Sequence, residues 1–197
     1  MQIIGITGGI GAGKSTVLQI LKTEYNGFVV EADKLAHQLM EPGQNAYNRI
    51  VEAFGTDILG EDGKICRPAL SAKVFSDEQK LNRLNSIVHP EVKQWIQAEI
   101  QRREIDGVTR YFIIEAALLI EDGYQSICDE IWYIYASEEV RIQRLMESRG
   151  YDLEKCQSII RNQSTDAFYR ENSSAVIENG AMIQSTQKQI QELLKRS

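Results

Sequence analysis

The sequence predicts an α/β fold, in which helices cover both faces of a parallel sheet. Short apolar runs alternate along the chain with longer stretches whose apolar residues recur every three or four positions. Two of the short runs, 110–115 (RYFIIE) and 130–136 (EIWYIYA), are apolar almost throughout. Strands that are covered on both faces have this composition, whereas half-exposed strands alternate apolar and polar residues.

Each predicted strand is a short run rich in β-branched or aromatic residues, and each predicted helix has the 3.6-residue period of a buried face. The predicted strands are 2–7, 28–30, 110–115, 130–136 and 175–177. The predicted helices with the clearest limits are 13–25, 34–40, 137–148, 152–163 and 186–195. Residues of about 1–33 and 107–197 are expected to form the core of a single domain.

The middle of the chain, about 34–106, is predicted to be a mostly helical insertion on the sheet. Capping-box spacing that begins at Ser76 predicts the start of one helix. Pro90 is expected to begin the next, because proline is favoured at the first position of a helix and disfavoured inside one. A junction between two helices is therefore predicted at His89-Pro90.

The composition narrows the expected ligands and the expected location of the protein. The formal net charge of −6 argues against binding to bulk nucleic acid but allows a local basic site for a small polyanion. The three cysteines are far apart and form no C-x-x-C pair, so we expect reduced thiols and a cytoplasmic location. The longest near-apolar run, 112–120, is far shorter than the ~20 residues of a membrane helix, so no membrane partner is expected.

The strongest functional signal is the segment 8–15 (GGIGAGKS), which we call the phosphate loop. It matches the pattern G-x-x-x-x-G-K-[ST] and lies between a predicted strand and a predicted helix, as that pattern requires. Glycines leave room for backbone N–H groups to face phosphate oxygens, and the helix N-terminus adds a partial positive charge. Lys14 is expected to contact the β- and γ-phosphates, and Ser15 to bind Mg²⁺. The ATP-binding residues expected here are Gly9, Gly11, Ala12, Gly13, Lys14, Ser15 and Thr16.

A phosphate loop predicts nucleotide binding but leaves the reaction open. The sequence contains no N-K-x-D motif, which guanine-nucleotide switches usually carry, and it is short for a motor or a transporter ATPase. A small-molecule kinase fits this size best. A kinase for another small hydroxyl or nucleotide acceptor, and a nucleotide switch without turnover, are alternatives at this point.

Asp33 is the first candidate for a catalytic group. It follows the second predicted strand, and the carboxyl ends of parallel strands meet at the edge where ligands bind. A carboxylate there can accept the proton of an attacking hydroxyl or hold a metal-bound water. The alternative is that Asp33 caps the helix 34–40, because aspartate is a favoured N-cap residue.

Further candidates are expected near the same edge. Glu115 ends the third predicted strand, where it can associate with a metal or be a strand-end carboxylate paired with an arginine. Arg141 and Arg144 share one helical face, and Arg149 follows them. Arg144 and Arg149 can clamp a transferring phosphoryl group, or they can be ordinary arginines of a solvated helix. On its chemistry alone, the lone His89 is more typical of a structural residue than of a catalyst.

Taken together, these motifs resemble the dephospho-coenzyme A kinase family, over nearly the whole chain from Ile4 to about Gly180. Residues 6–16 (ITGGIGAGKST) are similar to the family's form of the phosphate loop, and 31–33 (EAD) to its Asp-Ala-Asp. Further matches, in the family's order, are Glu41-Pro42-Gly43, Phe54-Gly55, Arg67, His89-Pro90, Leu118-Leu119, Glu121, Arg144, Gln163 and 176–180 (VIENG).

The resemblance implies a three-layer P-loop NTPase fold with a helical substrate-binding insertion and a small helical lid at about 141–165. It implies that ATP, with Mg²⁺ as cofactor, phosphorylates the ribose 3′-hydroxyl of dephospho-coenzyme A to give coenzyme A and ADP. This reaction is the last step of coenzyme A synthesis. ATP and dephospho-coenzyme A are the implied partners, and a monomer is favoured.

The resemblance also implies roles for individual residues. Asp33 matches the proposed base, Arg144 matches the lid arginine, and Asn179 matches a segment near the adenine. The implied catalytic residues are Asp33, Lys14 and Arg144, and the residues that join the phosphate loop in ATP binding are Arg144, Arg149 and Asn179. The implied substrate-binding residues are Thr7, Asp33, Arg67, His89, Glu115 and Leu118.

Two departures from the family pattern concern the expected site. Arg141 stands where a glutamine is usual. The interval between Arg144 and Arg149 is one residue longer than in the family, which leaves open whether Arg149 keeps a lid role. Neither departure removes a group that the implied mechanism needs.

Overall fold

The computed structural model describes residues 1–75 and 77–196, so Ser76, where a helix cap is predicted, lies outside the described residues. The described strands are β1 (Gln2–Thr7), β2 (Phe28–Glu31), β3 (Tyr111–Glu115), β4 (Glu130–Tyr135) and β5 (Ala175–Glu178). The described helices are α1 (Lys14–Glu24), α2 (Ala32–Leu39), α3 (Asn45–Phe54), α4 (Arg67–Val74), α5 (Glu78–Asp106), α6 (Glu138–Arg149), α7 (Leu153–Arg161), α8 (Asp166–Glu171) and α9 (Ile183–Leu194). Short 3₁₀ turns occupy Thr56–Ile58 and Tyr124–Ser126.

The chain divides into two compact units. The first combines Met1–Val30 with the chain from Asp106 onward, and it contains nearly all of the sheet. The second, Glu31–Ile105, is mostly helical. The phosphate loop lies in the first unit, whereas Asp33, Arg67 and His89 lie in the second.

The five strands form one parallel sheet in the order β2-β3-β1-β4-β5. β1 is the middle strand, where Ile4 pairs with Ile113 of β3 and with Glu130 of β4. Parallel neighbours need crossover connections, which the intervening helices supply. The predicted α/β fold with a parallel sheet is therefore confirmed, and the phosphate loop leaves the middle strand at its carboxyl end.

Apolar side chains are buried on both faces of the sheet. On one face, Trp132 of β4 belongs to a buried cluster with Leu21 of α1 and Ile190 of α9. On the other face, the ring of Tyr133 stacks on that of Tyr169 of α8, with 4.9 Å between the ring centroids. β3 and β4 are thus covered on both sides, which explains why their sequences are apolar almost throughout.

One helix of the second unit is longer than the sequence predicts. α5 runs without a break through Pro90, so the predicted junction at His89-Pro90 is wrong. A proline inside a helix removes one backbone hydrogen bond and costs ~3 kcal/mol. Val88 and Val92 are buried on either side of Pro90, in a buried stripe that continues along the helix. Tertiary packing of such a stripe supplies most of the stability of a helix in a protein, and it offsets the cost here.

Helix ends differ from the sequence-based limits by a few residues. α2 begins at Ala32 and α9 at Ile183, two and three residues before their predicted starts at 34 and 186. α6 begins as predicted, because Ser137 Oγ accepts a hydrogen bond from the Val140 N–H at 3.5 Å. The short helices α3, α4 and α8 were not predicted individually. Within the described parts of the chain, no helix is both long enough and apolar enough to cross a membrane.

Candidate active site

The phosphate loop connects β1, the middle strand, to α1. Gly11 and Gly13 have φ angles of 78° and 87°, in the left-handed region that side chains with a Cβ rarely adopt. This backbone turns the chain into α1, whose first N–H groups have no partner within the helix. Those N–H groups and the positive end of the helix dipole form a site for an anion.

The Lys14 ammonium lies at the base of this loop. Its Nζ donates a hydrogen bond to the Gly8 carbonyl oxygen at 2.9 Å and lies 3.6 Å from Oε1 of Glu115. Glu115 ends β3, the strand next to β1, so the sheet brings its carboxylate to the loop. The two side chains are only 18% and 12% exposed, and limited exposure to solvent strengthens their attraction.

Two arginines of α6 hold the phosphate loop by its carbonyl oxygens. Arg141 Nε donates to the carbonyl of Ile10 at 2.8 Å. Arg144 Nη1 donates to the carbonyls of Gly11 and Ala12 at 3.2 and 3.1 Å. The C=O and N–H of one planar peptide point in opposite directions, so a carbonyl held on the α6 side directs the next N–H away from α6.

Asn179, directly after β5, extends this set of bonds. Its Nδ2 donates to the carbonyl of Ala12 at 2.8 Å and to that of Gly13 at 3.3 Å. Its Oδ1 accepts a hydrogen bond from Thr186 Oγ1 at 2.9 Å, and its main-chain carbonyl accepts one from Arg144 Nη2 at 2.7 Å. Only 4% of Asn179 is exposed. Four successive carbonyl oxygens of the loop, from residues 10–13, are therefore bonded by side chains that come from elsewhere in the chain.

Gln163 completes the contacts around the loop. Its Oε1 accepts hydrogen bonds from the Ile10 N–H at 3.0 Å and from Arg141 Nη2 at 2.6 Å. A Cβ at Gly9 would collide with the Arg141 guanidinium, which would then have to shift. Sequence reasoning gave no role in the site to Arg141, Gln163 or Thr186. Two signals were available: Arg141 shares a helical face with Arg144, and Gln163 is one of the family matches.

The remaining sequence-predicted residues of the first unit differ in exposure. Ser15 is exposed in the first turn of α1. Leu118 is 52% exposed in the turn after β3. Arg149 is exposed at the end of α6, and within the described residues it makes no hydrogen bond to the phosphate loop. Thr7 is fully buried at the end of β1, where its hydroxyl has no hydrogen-bond partner among the described residues.

Three predicted residues belong to the second unit. Asp33 is exposed in the first turn of α2, whose N-cap is Glu31, so the interpretation of Asp33 as the N-cap is wrong. The helix starts earlier because Ala32, a strong helix former, is buried as its first residue. Arg67 is exposed as the first residue of α4, and His89 is half-buried within α5.

A tyrosine behind the loop is kept neutral by its surroundings. Burial of the Tyr133 ring raises its pKa, and the Tyr133 hydrogen bond with Asp166 raises the pKa further. Tyr133 also stacks on Tyr169, whose pKa burial raises as well. Both phenols therefore stay protonated near neutral pH and are not proton acceptors for catalysis.

The chain is similar in sequence to proteins of a known family. The sequence model of the dephospho-CoA kinase family matches residues 2–185. A dephospho-CoA kinase of Carboxydothermus hydrogenoformans is 38% identical over 196 residues, which cover 100% of this chain and 94% of that one.

Solved structures have the same fold. A crystal structure from Thermus thermophilus matches with a TM-score of 0.82 and 29% identity, over 99% of this chain and 97% of that one. A dephospho-CoA kinase from Campylobacter jejuni matches with a TM-score of 0.72 and 23% identity, over 100% of this chain and 99% of that one. The family match over nearly the whole length and the close relatives lead to one conclusion: the chain belongs to the dephospho-CoA kinase family.

Proposed function

We propose that the phosphate loop of this chain transfers the γ-phosphoryl group of ATP directly to the ribose 3′-hydroxyl of dephospho-CoA. Members of the family are dephospho-CoA kinases, and their reaction is the last step of coenzyme A synthesis. One observation carries the proposal: two cations, Lys14 and Arg144, are held on a single phosphate-binding loop. Phosphoryl transfer depends mainly on positioning and on stabilising charge, and such a loop supplies both.

Lys14 and Arg144 are proposed to stabilise charge on the transferred group. Lys14 would exchange its contacts with Gly8 and Glu115 for the β- and γ-phosphates. Arg144 donates three hydrogen bonds to the loop and to Asn179, and it is proposed to turn part of its five-donor guanidinium group to a phosphate oxygen when ATP binds. Arg149 is proposed to make a second contact to ATP.

Asp33 is proposed to orient the attacking hydroxyl and to take its proton. Its support is the resemblance, in which Asp33 matches the proposed base, together with its exposed position directly after β2. The exposed carboxylate can accept a proton from an acceptor that binds there. Arg67 and His89 are proposed to bind the anionic part of the acceptor, and Thr7, Glu115 and Leu118 to complete its site.

The residues of the loop fit a divalent metal ion bound mainly by nucleotide. Among residues 1–75 and 77–196, no three His, Cys, Asp or Glu side chains are grouped to hold a metal. Mg²⁺ commonly keeps several waters and takes few protein ligands, with the rest supplied by substrate phosphates. We propose that the Ser15 hydroxyl, exposed in the first turn of α1, is its protein ligand. Bound there, Mg²⁺ would neutralise charge on the β- and γ-phosphates.

Release of ADP, measured with a coupled assay over a panel of acceptors, tests the proposed function. We expect turnover with dephospho-CoA and much less with adenosine, shikimate or nucleoside monophosphates. Turnover with another acceptor instead would identify a different small-molecule kinase, and ATP binding without acceptor-dependent turnover would indicate a nucleotide switch.

Light scattering on the same preparation tests the proposed monomer, and cell fractionation tests the proposed cytoplasmic location.

A further inference from the structure

We propose that Asn179 is a positioning residue, which fixes the phosphate loop in the conformation that binds the phosphates of ATP. It acts through the loop backbone and does not contact the nucleotide base. The inference depends on the proposed function only in naming ATP as the ligand.

The hydrogen bonds of Asn179 fix the orientation of its amide. Nδ2 faces the carbonyl oxygens of Ala12 and Gly13, which can only accept hydrogen bonds. Oδ1 faces the hydroxyl of Thr186, which donates to it, and Thr186 is fully buried. A rotated amide would place oxygen against two carbonyl oxygens. The carbonyl oxygens of Ala12 and Gly13 therefore select the amide orientation that holds the loop, and in that orientation Oδ1 accepts the hydrogen bond from Thr186.

The position of Asn179 has a direct effect on the phosphate-binding groups. The peptides whose carbonyls it holds carry the N–H groups of Gly13 and Lys14, which point to the opposite side of each peptide plane. These N–H groups stand at the N-terminus of α1, where phosphate oxygens bind in such loops. A Cβ at Gly13 would collide with Nδ2 of Asn179, which shows how closely the amide approaches the loop.

The side chain of Asn179 is fully engaged before any nucleotide binds. Both of its amide atoms form hydrogen bonds within the protein, and only 4% of the residue is exposed. Its main-chain N–H donates to Tyr135 and its main-chain carbonyl accepts from Arg144. A base contact through this side chain would have to break bonds that support the loop. The proximity to adenine expected from the resemblance remains a prediction for the exposed neighbour Gly180.

Binding of inorganic tripolyphosphate, which has the phosphates of ATP without a base, separates the two roles. We would measure the affinities for ATP and tripolyphosphate by calorimetry, with wild type, Asn179→Asp and Thr186→Val. Asn179→Asp replaces the donor by an oxygen that repels the two carbonyls, and Thr186→Val keeps the volume while it removes the hydroxyl. If Asn179 positions the loop, both affinities should fall in parallel, by about tenfold or more in Asn179→Asp and less in Thr186→Val.

Gln189→Ala is the matched control. Gln189 hydrogen-bonds the main chain of Glu178, one residue before Asn179, and within the described residues it makes no hydrogen bond to the loop. Gln189→Ala loosens the same connection between β5 and α9, and it should leave both affinities within about twofold of wild type. Thr186→Ser restores the hydroxyl and should recover most of the lost affinity.

The remaining outcomes overturn the proposal. A fall in ATP affinity with unchanged tripolyphosphate affinity would make Asn179 a base-binding residue. Unchanged affinities in both variants would make the bonds structural only. Should Asn179→Asp fail to fold, Thr186→Val gives the same comparison. These measurements need no acceptor, so a wild type that binds ATP but does not phosphorylate dephospho-CoA would contradict the proposed function and leave this test valid.

Discussion

Lys14 Nζ lies 3.6 Å from the carboxylate of Glu115, at the carboxyl edge of two adjacent strands. The same ammonium donates to the carbonyl of Gly8 at 2.9 Å, so its charge is held within the phosphate loop. A partly buried ion pair restricts the side chain before nucleotide arrives. The lysine is therefore held within the phosphate loop by the fold, and it is proposed to exchange these two contacts for the phosphates when ATP binds.

Lys14→Ala should abolish phosphoryl transfer while the fold survives. The substitution removes the charge that is proposed to contact the phosphates, and it leaves the Glu115 carboxylate without the Lys14 ammonium. The cost of that loss in unfolding free energy should be ~1–3 kcal/mol, which a folded protein of this size tolerates. Turnover and a thermal melting curve on one preparation test both expectations.

Lys22→Ala is the control for that substitution, because Lys22 is an exposed lysine at the other end of the same helix. Its turnover should match wild type. Near-normal turnover in Lys14→Ala would contradict the assignment of the phosphate loop.

Arg144→Ala should lower kcat strongly and also raise the KM for ATP. The proposed contact with the transferred group is made mainly in the transition state, and loss of one such donor costs about 3 kcal/mol. The rise in KM follows from the bonds of Arg144 to the carbonyls of Gly11 and Ala12. Asn179→Asp, by comparison, should act mainly on the KM for ATP. Steady-state kinetics separate the two, and a pure KM effect in Arg144→Ala would make it a ground-state binding residue.

Local patterns predicted the parts of the fold that depend on neighbouring residues. The phosphate loop is set by glycines within one short segment, and the strands β3 and β4 by their own apolar composition. Pro90 was misleading because a local rule against proline within helices was outweighed by the buried residues on either side of it. The start of α2 at Ala32 was missed for the same kind of reason, since burial extends the helix beyond its expected cap.

The support of the phosphate loop could not be predicted from local patterns. Arg141 bonds a carbonyl 131 positions earlier in the chain, and Asn179 bonds one 166 positions earlier. Contacts of this kind depend on where β4 and β5 lie in the sheet and on where the helix α6, which follows β4, is placed. The resemblance pointed to Arg144 and Asn179 as site residues, but their hydrogen bonds to loop carbonyls were not part of that expectation.

Cys128 should be unreactive at neutral pH and should make stability fall at alkaline pH. Burial raises the pKa of its thiol from 9.0 to about 12, and the nearby Asp129 adds to this. A thiol with a raised pKa in the folded state contributes stability that is present below pH 9 and is lost as the pH rises toward 12. Cys128→Ala should therefore flatten the fall in unfolding free energy across that window. Denaturant titrations at several pH values test this, and identical slopes in wild type and variant would contradict it.

Asp33→Asn should nearly stop the reaction yet leave ATP binding and stability close to wild type. Asp33 is exposed and does not cap α2, so the change removes only its favourable charge near the helix N-terminus, ~0.3–1 kcal/mol. Lys14 and the loop N–H groups are untouched, which should preserve the affinity for ATP. The loss of the proposed base should lower kcat by about 10²–10⁴-fold, the usual contribution of a general base. ATP affinity, melting temperature and kcat measured on one preparation test the three expectations together. A fall in kcat of less than about tenfold would show that Asp33 is not the base, and Glu115, which ends β3 beside the loop, would be the next carboxylate to test.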